Sequence, residues 1–148
     1  MKKRGIFGKA FWVVLVIVSS LFLFTSWFGG EVLGLYDTAR WFDKALHAFG
    51  GILFTVIGFW VASRSDSKKP FFIAMFAFCF CVTVLLLWEF FEFFIDLAFG
   101  TNMLRWQDMA RSKFGSGLHD TMWDLILGAA AALLTSIGIW IWLRIRKE

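Results

Sequence analysis

Four apolar runs, each close to twenty residues or longer, constrain this chain more than any motif does: 11–28, 42–62, 70–99 and 120–143. A bilayer core about 30 Å thick takes about 20 helical residues to cross. A helix is also the simplest structure that satisfies all its backbone groups inside lipid. The runs therefore predict an all-α polytopic transmembrane bundle of four helices, forming one integral membrane domain over residues 1–148. Composition points the same way, with 59% hydrophobic and 20% aromatic residues, more apolar than an ordinary soluble domain. The isoelectric point near 9.3 raises the possibility of nucleic-acid binding. The basic residues cluster beside the apolar runs, however, as topology determinants do, which favours a membrane over a nucleic acid.

Lys2, Lys3, Arg4 and Lys9 precede the first run, so a signal peptide has to be weighed. The run is long for that, and no small-x-small cleavage site follows before Gly29, so a retained first helix is expected. Residues 31–41 read as a short polar connection, with Asp37-Thr38 a possible helix N-cap. Pro70 suits the first turn of the third helix. That helix exceeds the length a span needs, so its far end should project beyond the hydrocarbon. Residues 100–118 read as a loop in which Met103, Trp106, Met109 and Phe114 hint at an interfacial helix. Cys79 and Cys81, two apart on one helix, point about 200° apart and cannot bond to each other. Both read as buried small hydrophobes.

Orientation follows from the basic residues. The N-terminus holds four, the 63–69 loop three (Arg64, Lys68, Lys69) and the tail three (Arg144, Arg146, Lys147), ten in all. The remaining connections hold Arg40, Lys44, Arg105, Arg111 and Lys113, five in all. The imbalance predicts both termini on the cytoplasmic side.

Within this apolar frame the stretch LWEFFEFFID, residues 87–96, carries Glu89, Glu92 and Asp96 on one helical face. A carboxylate facing lipid costs about 2.5–3.5 kcal/mol even on insertion scales, so the three should face protein, water or a cation. The topology places Asp43 and His47 (start of the second helix) and His119, Asp120 and Asp124 (start of the fourth) at the same membrane level. Asp43, His47, Gly51, Thr55 and Gly58 form one stripe, and Asp120, Asp124, Gly128, Ala131 and Thr135 another. Small residues let transmembrane helices approach closely, so these faces should pack together and take the ionisable groups inside.

Three readings of the cluster stay open at this stage. One is a structural hydrogen-bonded network in a non-enzymatic membrane accessory protein. Another is a divalent metal site of His47, Glu89, Glu92, Asp120 and Asp124, with Asp43 and His119 as acid/base groups. Such a mix of imidazole and carboxylate suits zinc, manganese or iron. The third, a proton or cation path, fits poorly because the other two-thirds of each helix lacks ionisable residues. No Gly-rich phosphate loop, Ser nucleophile elbow or HExxH helix is present. The expected ligand is a lipid or envelope-precursor head group beside the lipid bilayer, and no nucleic acid.

Asp43-Lys44-x-x-His47, Trp88-Glu89-x-x-Glu92 and Asp120-Thr121-x-x-Asp124, the last followed by a Gly/Ala-rich helix, resemble the VanZ-like superfamily. They are most similar to its YjdF-type branch of small bacterial inner-membrane proteins, over roughly residues 37–135. The resemblance implies a small helical membrane bundle in which the Asp, His and Glu positions recur. It also implies a link, through the founding member, to low-level teicoplanin resistance. Glu92 stands where that family often has Gln.

Overall fold

A computed structural model describes residues 9–65, 69–101, 103–104 and 117–146. The described residues are helical, with no strand among them. Helix α1, Lys9–Phe24, continues as a π-helical segment, Thr25–Val32; α2 is a single turn, Leu35–Thr38. Three long helices follow: α3, Arg40–Ser63; α4, Pro70–Phe99; and α5, Gly117–Ile145. Among the described residues, four segments are long and apolar enough to cross a membrane: Phe11–Gly30, Trp41–Ser63, Pro70–Phe99 and Gly117–Ile145. The interfacial helix expected around Trp106 and Phe114 lies outside the described residues, as do the basic residues Arg105, Arg111 and Lys113.

The chain divides into two compact units, Met1–Leu46 and His47–Glu148, and α3 begins in the first and runs on through the second. In the first unit, Ser26 and Tyr36 share a hydroxyl–hydroxyl bond of 2.7 Å. The Tyr36 ring meets Phe42 edge-on at 5.6 Å. These contacts tie the π-helical segment to the turn that enters α3. The π segment extends the first helix four residues beyond the expected end at residue 28. Thr38 spends its hydroxyl on the Gly34 carbonyl at 2.9 Å, closing α2. The side chain of Asp37, the other residue of the expected cap, lies outside the described residues.

The second unit is a three-helix arrangement built on small residues. A Cβ on Gly51 of α3 would collide with the Gly128 carbonyl of α5, and one on Gly128 would lie 3.3 Å from the His47 carbonyl. Gly58 of α3 faces Ala77 and Phe80 of α4 in the same way. Cys81, Leu85 and Ala132 form the core between α4 and α5, with Phe54, Phe78 and Leu125 packed around it. These pairings make α3 and α5 parallel and α4 antiparallel to both. Without a hydrophobic drive inside lipid, close van der Waals contact at such positions is what holds the helices together.

The expected stripe on α3 is observed: His47, Gly51, Thr55 and Gly58 are all buried. On α5 the buried line runs Asp124, Gly128, Ala132 and Ser136, whereas Ala131 and Thr135 are half-buried. A strict spacing of four slants across the helix surface and follows the ridge that packs between neighbours. Helix α5 also starts at Gly117 rather than at residue 120, so Asp120 is a first-turn residue and not the cap. A carboxylate there interacts favourably with the helix dipole. The two cysteines differ from the expectation that both are buried: Cys81 is buried but Cys79 is exposed.

Candidate functional site

Burial of acids and imidazole is confined to a few positions. On α3, His47 keeps 8% of its surface, on α4 Glu89 keeps 4%, and on α5 Asp124 keeps 3%. His47 and Asp124 each stand at the polar end of a line of small residues, and Glu89 follows the buried Ala77, Cys81 and Leu85, so the packing that joins the helices also carries these groups inward. The Glu89 carboxylate lies 3.8 Å from His47 Nδ1. His47 and Asp124 each offer a ligand atom, and the two lie within 4.8 Å of each other. One imidazole and two carboxylates from three helices thus converge in a low-dielectric interior. A charge there is costly unless paired, hydrogen-bonded or neutralised by a cation.

Asp43 precedes His47 by one turn on α3. Asp43 is half-buried. Its carboxylate also lies 3.3 Å from Lys44 Nζ, a pairing that fits a structural network. At this spacing an Asp and a His project to one side of a helix, so a single ion can meet both.

The other acids divide by local chemistry. Glu92 is half-buried, and its Oε1 accepts a 2.7 Å hydrogen bond from Trp88 Nε1 one turn back. Asp96 turns to the chain that follows α4. It accepts from the Thr101 hydroxyl, from the Met103 amide at 2.8 Å and from the Leu104 amide at 3.0 Å. The shared face expected for Glu89, Glu92 and Asp96 therefore serves three purposes. Only Glu89 enters the group around His47, because Trp88 and the downstream amides give the other two short-range partners. Asp120 is half-buried in the first turn of α5. His119 is exposed and accepts at Nε2 from Trp123 Nε1 at 3.0 Å. Trp88 and Trp123 thus hold an acid and an imidazole in place.

Below the ionisable level the packing is weakly polar. The Gly51 carbonyl accepts from Thr55 Oγ1 at 2.6 Å and from Cys81 Sγ at 3.3 Å, which joins α3 to α4. Sequence reasoning took Cys81 as an apolar filler, and nothing in its spacing signalled this donor role. The Ser136 hydroxyl is buried on α5 with no hydrogen-bond partner among the described residues.

Among curated proteins and among solved structures, no significant match to the chain is found. A family model described as Predicted membrane protein (DUF2238) matches residues 7–145. With that match running nearly end to end over a chain of apolar helices, the protein belongs to the DUF2238 family of membrane proteins.

Proposed function

We propose that the buried group on α3, α4 and α5 binds a divalent cation through His47 and Asp124, with Asp43 as a further donor and Glu89 beside the imidazole. The observation that carries this reading is the convergence of His47, Asp124 and Glu89, all more than nine-tenths buried. Imidazole with carboxylate oxygens fits zinc, manganese or iron better than copper. Glu92, toward the carboxyl end of α4, and Asp120, in the first turn of α5, are half-buried and extend the acidic rim. His119 and Asp43 are the acid/base candidates there. A bound ion with open positions would polarise a phosphoryl oxygen or activate water. This suits binding or processing of a lipid or envelope-precursor head group at the membrane boundary.

Supporting the setting are the positive-residue imbalance, which favours cytoplasmic termini in a bacterial inner membrane, and the resemblance to VanZ-like proteins of the YjdF type. The site would then open toward the outer face. A structural network in an accessory protein is the second reading, and the 3.8 Å His47–Glu89 pair favours it, since the two can neutralise each other without an ion.

Elemental analysis of the detergent-purified protein decides between them. Stoichiometric metal in the wild type, lost in His47→Ala and in Asp124→Asn while both variants stay folded, supports the metal site. No metal above background after incubation with zinc, manganese or iron supports the network.

A further inference from the structure

Two kinds of contact join α3 to α4 within the second unit. One is close packing at small residues: a Cβ added to Gly58 would lie 3.1 Å from the Ala77 Cα and 3.0 Å from the Phe80 side chain. Such packing sets how near two membrane helices come, but it resists sliding along their axes only weakly. The other contact is directional. Cys81 of α4 donates from Sγ to the Gly51 carbonyl of α3 at 3.3 Å. Cys81 is fully buried, and so is Thr55, whose hydroxyl meets the same carbonyl at 2.6 Å. The Thr55 bond stays within α3, whereas the Cys81 bond crosses between helices.

His47 stands one turn from Gly51 on α3, and Glu89 two turns from Cys81 on α4, both toward the acidic end. Helical side chains lean toward the amino end of their own helix. Because α3 and α4 are antiparallel, His47 leans outward and Glu89 leans back to meet it. Their 3.8 Å separation therefore depends on the height of one helix against the other. A slip of a single residue is about 1.5 Å, enough to part the pair or to crowd it. A directional bond between the same two helices, close below the pair, holds that height.

We infer that Cys81 is a positioning residue for the buried group: its thiol, through the Gly51 carbonyl, fixes α4 against α3 and so sets Glu89 beside His47. It is not a ligand, since it lies two turns from Glu89. The consequence for metal binding rests on the cation site proposed above; the spacing itself does not.

The chain has two histidines, His47 and His119, so 15N-histidine labelling gives a readily assigned spectrum, with His119→Gln separating the two. Ring-nitrogen resonances report the partners of each nitrogen. In the metal-free protein in detergent, Cys81→Ala should move the His47 Nδ1 resonance. Cys81→Ser, nearly equal to alanine in volume but still a donor, should restore it. Thr55→Val removes a buried hydroxyl from the same carbonyl without touching the interhelical bond, and should leave the resonance in place. Zinc titration of the same proteins should show binding about tenfold weaker in Cys81→Ala, as for loss of a group that orients a metal ligand, and near wild type in Cys81→Ser. If the wild type takes no zinc, the cation reading fails, and the Nδ1 resonances alone decide the positioning role. An unmoved His47 resonance in Cys81→Ala would overturn the proposal, and so would a Cys81→Ser variant that behaves like Cys81→Ala. An equal shift in Thr55→Val would assign the effect to lost polarity in the core and overturn it as well.

Discussion

Gly51 of α3 lies directly on the carbonyl of Gly128 of α5, with no room between them for even a methyl group. The same turn of α5 stands against the His47 carbonyl. The closest approach of two helices is therefore one turn away from the imidazole and carboxylate that meet between them. A Gly51→Ala substitution has to push backbone from backbone, because no flexible side chain is available to yield. It should cost about 1–3 kcal/mol and separate His47 from Asp124. Gly138→Ala, where an added Cβ meets nothing within 4 Å, should be neutral or slightly stabilising. Thermal unfolding of the two variants in one detergent measures the difference, and equal midpoints would show that the contact does not set the packing.

If the buried group holds a cation, Glu89 acts on it chiefly through His47. Glu89→Gln should then weaken metal binding by about 10–100-fold, as loss of a partner of a metal-bound imidazole generally does. His47→Ala should lose the metal outright. Titration with zinc or manganese followed by elemental analysis tests the ranking. Equal loss in both variants would make Glu89 a direct ligand.

Metal binding at an imidazole competes with protons, because only the neutral ring can coordinate. Occupancy at fixed total metal should fall as the solution is acidified and return when it is neutralised. In Asp124→Asn, affinity should be lower throughout. Metal retention that is indifferent to pH would exclude imidazole ligation.

Asp96 has a different task, since its carboxylate gathers three donors from the chain just after α4. Asp96→Ala leaves those donors without their acceptor and should cost about 1–3 kcal/mol. Metal content should not change. Denaturation alongside elemental analysis separates this role from that of Glu89, and loss of metal in Asp96→Ala would merge the two.

Orientation rests on charge counting alone and has its own test. A cysteine introduced at Lys113, in a variant lacking both native cysteines, should react with an impermeant maleimide added to intact cells. Labelling only after lysis would reverse the topology and place the acidic group at the cytoplasmic face.

What could be read from the residues depended on how far each signal reaches along the chain. Span number follows from apolar length, which is a property of the chain in any conformation. The α3 stripe from His47 to Gly58 was legible because small and ionisable residues share one helical period there. The fates of Glu92 and Asp96 were not, since helical spacing gave them the same face as Glu89. Their sorting depends on Trp88 one turn away, and on a hydroxyl five and amides seven and eight residues downstream of Asp96. Spacing ranks none of these competing donors. The Cys81 bond to Gly51 was hidden for a related reason, because it joins residues thirty positions apart and appears only once α3 and α4 are packed.

The parallel run of α3 and α5 against a reversed α4 gives the second unit an electrical polarity that no single residue confers. At the end opposite the acidic group the carboxyl termini of α3 and α5 accompany the amino terminus of α4, so the backbone contributes a net partial charge of about −0.5 there. Asp43 and Asp120 sit in the first turns of their own helices, α3 and α5, where the helix field is positive. Arg144, in the last turn of α5, sits where it is negative. The side chains thus counterweight the peptide dipoles along the helix axes. Neutralising Asp120 would remove the charge that offsets the dipole of α5 at its amino end.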